Sequence, residues 1–197
     1  MAENIFHMEK NLIVNNKELN HGGFFIVNEI FSTINRAIEE RGYTKKEKRS
    51  EETVTPSGKY LYLELRPFKV VTNYITLMIK IKINLNHITE TVKEIDGKKT
   101  IFQNGEVHIA FDAWSLTDYE HRWGMKPFVY FMKALINKFI YKFPFEAGTI
   151  SIVGGDTAYI YAQVKKLLNS YKKKEEKTIS EEEVKKEIEE EVMKEKG

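Results

Sequence analysis

The chain has no cysteine in 197 residues. Disulfides, thiolate metal sites and thiol nucleophiles are therefore excluded, and the absence fits a reducing compartment. A continuous apolar segment of the kind a signal peptide needs is missing from the start, because MAENIFHMEKNLIV places acids and a lysine there. No apolar run approaches the roughly 20 residues that span a bilayer, so a cytoplasmic location is expected. Bias toward one charge is slight, with 31 basic and 29 acidic side chains for a net charge of +2. That balance argues against a chain built chiefly to neutralise phosphates. Gly154-Gly155-Asp156 is the nearest approach to a phosphate loop, yet it lacks the further glycines and lysine of a P-loop and the spacing of a dinucleotide fingerprint. Asp156 there reads as the N-cap of a helix. There is no internal repeat and no long flexible linker.

What is present is enough apolar material to fold. Hydrophobic residues make up 42% of the chain and aromatic ones 12%, which excludes disorder of the whole. Leu12, Ile13 and Val14 before Asn15-Asn16 suggest a first strand and a turn. Phe24, Val27, Phe31, Ile34 and Ile38 then recur at three and four residues, the period of a helix that Gly42 is placed to end. Pro56-Ser57-Gly58 is positioned to reverse a polar segment into a strand in which Leu61, Leu63 and Leu65 alternate with polar residues.

The strongest strand signal is NYITLMIKIKINL. Ile75, Leu77, Ile79, Ile81, Ile83 and Leu85 share one side, and the other carries Lys80 and Lys82. Asp96-Gly97 and Asn104-Gly105 follow as hairpin dipeptides, giving a meander of about five or six antiparallel strands. Lys126 to Phe143 reads as a helix with apolar residues over about half its circumference, suited to covering the sheet. A short strand at Ile150 to Val153 and a helix from Thr157 to Tyr171 are expected next, with Ile160, Val164, Leu167 and Leu168 as the helix's apolar stripe. The fold class is α+β: an antiparallel meander covered on one face by amphipathic helices, forming one domain over residues 1–171. Residues 172–197 form a charged helical tail, with 8 lysines and 10 glutamates. Its capping box is Ser180 with Glu183, and Val184, Ile188 and Val192 make a thin stripe.

Three clusters could carry chemistry. On one face of the strand ending at Trp114, alternation places Glu106, His108 and Asp112, two carboxylates and an imidazole able in principle to hold a ligand or divalent metal. The bland alternative is a half-exposed strand face, and no second cluster with ligand spacing accompanies it. In SLTDYEHRW, Asp118 and His121 could form an acid–histidine pair, with Arg122 to hold an anion. A junction is the preferred reading there, with Tyr119 and Trp123 as buried anchors. Finally, Tyr60, Tyr62, Lys80 and Lys82 could stack and neutralise RNA or meet a protein partner.

The order RGY, LELRPFKVVTNYITLMIKIKI, DGKK, GEVHIAFDAWSLTDYEHRW and KPFVYFMKALINKFIYK resembles a group of small uncharacterised archaeal proteins over about Phe24 to Lys142. The resemblance implies an α+β domain and supplies no activity, cofactor or functional residue. The expected function is thus a non-enzymatic binding module for a protein or RNA. The alternative is a helix-grip pocket for a small apolar ligand, with a cavity of several hundred Å³ and catalysis at its mouth. Peripheral membrane association through Phe128 to Phe143 ranks third, behind burial of that face on the sheet.

Overall fold

The computed structural model describes residues 9–56, 58–72, 75–95, 98–117, 127–128, 131–132, 135 and 144–195. In chain order the elements are β1 (Glu9–Phe25), α1 (Val27–Glu40), β2 (Glu47–Thr55), β3 (Gly58–Leu65), β4 (Phe68–Val70), β5 (Ile75–Ile95), β6 (Lys98–Thr117) and α2 (Pro144–Glu195). All strand pairs are antiparallel, in the order β1-β6-β5-β3-β2, and β4 pairs with the same edge of β5 as β3. The break between β3 and β4 falls at Arg66-Pro67, where proline has no N–H to donate. Its carbonyl still accepts from the Ile79 N–H at 3.0 Å. The chain is α+β, as its alternating and helical periods indicate.

The inner face of the sheet is the one the β5 pattern implies. Ile75 through Leu85 at alternate positions are buried, and Ile81 pairs with Phe111 and Leu65, Ile83 with Ile109 and Leu63. Against this face lie Ile30, Ile34, Ala37 and Ile38 of α1 and Val153, Ile160, Val164 and Leu168 of α2. Burying this much aliphatic surface, at about 25 cal/mol per Å², is the main stabilising term. Ile79, Ile81, Ile83, Leu85, Ile109, Phe111, Ile34, Ile160 and Val164 are all 0% exposed. Layers whose facing side chains are this fully buried pack directly on one another.

The strands are longer than their local signals suggest. Asn15-Asn16 is not a turn: β1 continues through it with register shifts, and Asn16 takes the left-handed conformation (φ 46°) that asparagine tolerates. The segments around Ile75–Leu85 and Ile88–Ile95 are one strand, bulged at His87 (φ 52°). Asn104-Gly105 also lies within a strand, β6, because that bulge brings the backbone of β5 close. A Cβ on Gly105 would stand 2.6 Å from the Asn86 carbonyl oxygen. Gly105→Ala is therefore expected to cost about 1–3 kcal/mol through forced displacement of the ladder. Gly22→Ala, where a Cβ meets nothing within 4 Å, should stay within about 0.5 kcal/mol of wild type. Urea unfolding of the pair checks this, and equal effects would contradict the register. The Asp96-Gly97 dipeptide lies outside the described residues, between partners Ile95 and Lys98.

Helix α1 has no side-chain cap of its own, since Ile26 stands at its N-cap; Gln103 Oε1 of β6 accepts from the Val27 N–H at 3.2 Å instead. Gly42, at φ 72°, follows its last turn as expected. The expected link and strand before Thr157 are helical. Pro144 opens α2 at a position that tolerates a missing N–H, and Gly154, Gly155 and Asp156 are internal to it. Without a helix start at Thr157, Asp156 is not a cap. At 1.5 Å per residue the 52-residue α2 is about 78 Å long, and it runs on without a break into the charged tail. No helix among the described residues is long and apolar enough to cross a membrane.

Of the segment Lys126 to Phe143 expected to cover the sheet, only residues 127–128, 131–132 and 135 are described; Ile136, Phe139, Ile140 and Phe143 lie outside the described residues. Pro127, Phe128, Phe131, Met132 and Leu135 are helical, but the last four are 73, 61, 41 and 38% exposed. The cover is supplied by α1 and α2. Periodicity specifies that a helix has an apolar face; it does not specify what the face meets.

Candidate functional site

The face of the sheet opposite the helices collects most of the residues singled out from the sequence. Adjacent strands set Tyr62 beside Asn84 and His108, Glu64 beside Lys82, and Lys80 beside Asp112. Alternation alone brings these side chains to one side, and antiparallel register sets opposite charges in partner positions.

Asp112 is the most constrained of them. It is buried, its Oδ2 lies 2.7 Å from Lys80 Nζ, and its Oδ1 accepts the Asn16 N–H at 2.8 Å. The bulge that leaves Asn16 left-handed thus supplies the second donor. Burial pushes the Asp112 carboxyl up, but the hydrogen bonds from Lys80 and Asn16 and the charges of Lys80 and Lys82 together hold it below the usual carboxylate value. Lys80 Nζ also sits 5.0 Å from the centre of the Trp114 ring.

Glu64 repeats this pattern on β3. Its carboxylate accepts from Arg66 Nε at 2.6 Å and from the Tyr62 hydroxyl at 3.1 Å. Burial opposes ionisation, while Arg66, Tyr62 and Lys80 more than offset it, so Glu64 too lies below the ordinary range. His108 Nε2 is 3.6 Å from Glu18 Oε2, and Tyr60 pairs with His87 Nδ1 at 2.8 Å. Glu106 is exposed on β6, partnered in register by Asn86 and Gly22.

The face therefore carries two close ion pairs, Lys80–Asp112 and Arg66–Glu64, with Lys82 beside Glu64 in register. Among the described residues no group of three or more histidines, aspartates or glutamates could hold a metal ion. Asp118, His121 and Arg122, together with Tyr119 and Trp123, lie outside the described residues; the SLT that precedes them completes β6.

A second polar cluster was not foreseen. Asp156, buried inside α2, stands 3.9 Å from Arg41 Nε and 3.7 Å from Lys69 Nζ. Lys69 donates to the Arg41 carbonyl at 2.9 Å, and the Arg41 guanidinium stacks 3.8 Å from the Tyr159 ring centre. Tyr159 in turn donates to Glu40 at 2.7 Å. The Tyr43 hydroxyl is buried beside Asp156, and neither it nor Asp156 Oδ2 has a well-formed hydrogen bond. Burial, and then the Asp156 charge, raise the Tyr43 phenol far above its ordinary value, so it stays protonated.

The cluster joins the end of α1, β4 and the middle of α2. At the other end of the same interface the Tyr171 hydroxyl donates to Glu29 of α1. These contacts fix how α2 sits on α1, the register role best attested for buried polar groups. Reading Asp156 as a cap hid the cluster. The available signal was that Asp156, Tyr159, Ile160 and Val164 share a helical period with the stripe beyond them.

The third feature is the apolar arc already met outside the core. At 100° per residue, Phe128, Phe131, Met132 and Leu135 fall within about 100° of one another. Helix spacing sets these four on one arc, and all four are exposed.

Taken together these features define an α+β domain with an aliphatic core between sheet and helices, ion pairs on the other sheet face and four exposed apolar side chains at helix spacing. No known protein family matches the chain, and no curated protein is significantly similar to it.

Proposed function

We propose that this protein is a non-enzymatic binding module, and that the helical face of Phe128, Phe131, Met132 and Leu135 is its docking element. The observation that carries the reading is their exposure, from 38% to 73%, at i, i+3, i+4 and i+7. Single exposed apolar residues are common, but four in one stripe leave a patch of the kind that marks interaction surfaces.

Two other observations support a docking role over the alternatives. The packed layer between the sheet and its helices favours a scaffold over a small-molecule pocket. The engagement of Lys80 by Asp112 and of Arg66 by Glu64 favours an apolar contact over RNA on the sheet face.

The test uses an apolar dye. Folded wild-type protein should enhance the fluorescence of anilinonaphthalene sulfonate, and Phe128→Ser/Phe131→Ser should lose most of that enhancement with an unchanged far-ultraviolet circular dichroism spectrum. Equal fluorescence from the two proteins would overturn the reading.

A further inference from the structure

We infer that the free edge of β2 is a self-association surface, on which a second copy of this chain pairs its own β2 antiparallel about a two-fold axis at Ser50. This edge is separate from the arc of Phe128, Phe131, Met132 and Leu135, and the pairing does not depend on what that arc meets.

The first support is the edge itself. β2 ends the strand order, and among the described residues only β3 pairs with it. Alternate residues along its outer side therefore present N–H and C=O groups without a strand partner, the template on which another strand adds. Every residue from Glu47 to Val54 is exposed, so the edge is open to one. At the other end of the order β1 is interrupted by register shifts between Leu12 and Val14 and between Val14 and Lys17, whereas β2 is regular from Arg49 to Thr55.

The second support is the order of charges. Charged side chains on an edge strand ordinarily discourage pairing, but Lys48, Arg49, Ser50, Glu51 and Glu52 run from bases through a serine to acids. That order complements itself when reversed. In an antiparallel pair, residues directly opposite project to the same face, so a two-fold axis relating two copies of one strand must pass where a residue meets its own copy. Centring the axis on Ser50 sets Arg49 opposite Glu51 on each side of it, and Lys48 opposite Glu52 beyond them. Centring it on Lys48, Arg49, Glu51 or Glu52 sets a charge against itself, and centring it on Thr53 brings no opposite charges together. Opposite charges stabilise a cross-strand pair and like charges oppose it, so one register is selected.

The geometry within one copy suits that register. Arg49 and Glu51 lie in register with Glu64 and Tyr62 on the face away from the helices, and Arg49 Nη2 is 2.6 Å from Glu51 Oε1. A second copy alternates the four charges around the axis, giving each a further opposite neighbour.

The experiment is sedimentation velocity of the full-length protein over rising concentration. Wild type is expected to pass from monomer to dimer below roughly 1 mM, less readily as salt rises. Glu51→Arg/Glu52→Lys makes the centre of the strand wholly basic, and Lys48→Glu/Arg49→Glu makes it wholly acidic. Each variant alone should dimerise at least about tenfold more weakly than wild type, and an equimolar mixture of the two should recover the dimer. Both should keep the wild-type circular dichroism spectrum, because these side chains are exposed and exposed ion pairs contribute little to stability.

A monomer at every concentration would overturn the inference. So would variants that stay monomeric when mixed, because the charges would then not meet across the axis. Dimers unaffected by either reversal would overturn it too, and their loss in Phe128→Ser/Phe131→Ser would place the contact between copies on the apolar arc instead.

Discussion

Phe111→Ala should lower the unfolding free energy by about 3–5 kcal/mol, the range for removing a fully buried phenylalanine. Phe111 is 0% exposed at the centre of β6, paired with Ile81 on one side and Lys17 on the other. Its ring meets that of Tyr161 in α2 edge to face, 5.8 Å between centres. The loss has two parts: transfer of the ring to water, and the cavity left under α2. Neither Ile81 nor Ile109 can swing in, because strand pairing fixes their backbones. A urea transition read by circular dichroism measures the effect, and a change below about 1 kcal/mol would mean that α2 does not rest on this strand.

The second large effect is expected at the Lys80–Asp112 pair. Asp112→Ala should cost about 2–3 kcal/mol. The substitution strands the Lys80 ammonium, 17% exposed at its side chain, and removes the acceptor of the Asn16 N–H. The cost is kept under that of a fully buried pair because Lys80 retains some contact with water. Lys80→Met added to Asp112→Ala should recover about 1 kcal/mol or more, since the uncompensated charge is gone. Strict additivity of the two substitutions would show that the pair is not coupled.

The pair also sets a pH dependence. Asp112 and Glu64 both ionise below their ordinary values of 3.8 and 4.5, so in acid the unfolded chain binds more protons than the folded one. The stability they supply is complete above the ordinary values and is lost as pH falls through the lowered ones. Asp112→Asn should flatten the stability profile in that acid window and leave its shape near neutrality unchanged.

Much of this architecture was legible from local pattern. Six aliphatic residues in step on β5 fix which face meets α1 and α2. The three- and four-residue spacing from Val27 to Ile38 places α1, and Ile160, Val164 and Leu168 place the packed part of α2. The same alternation put Glu106, His108 and Asp112 on one face with Lys80 and Lys82 across the sheet.

What local pattern missed depends on distant partners. Asn16 and Gly105 look like turn residues, and each is a strand irregularity required by the neighbouring strand. Gln103 caps α1 from 76 positions away in sequence. Asp156 reads as a cap after two glycines, yet it is internal to α2 because Arg41, Lys69 and Tyr43 surround it. The apolar spacing of Phe128, Phe131, Met132 and Leu135 predicts cover for the sheet, yet all four are exposed, and α1 and α2 fill the inner face.

The most direct test of the docking face is the unfolding free energy of Phe128→Ser/Phe131→Ser beside wild type in urea. Two phenylalanines exposed by 73% and 61% can be replaced with a change within about 1 kcal/mol. A loss of about 6 kcal/mol or more, the sum for two buried phenylalanines, would mean that this helix is part of the core and would contradict the account.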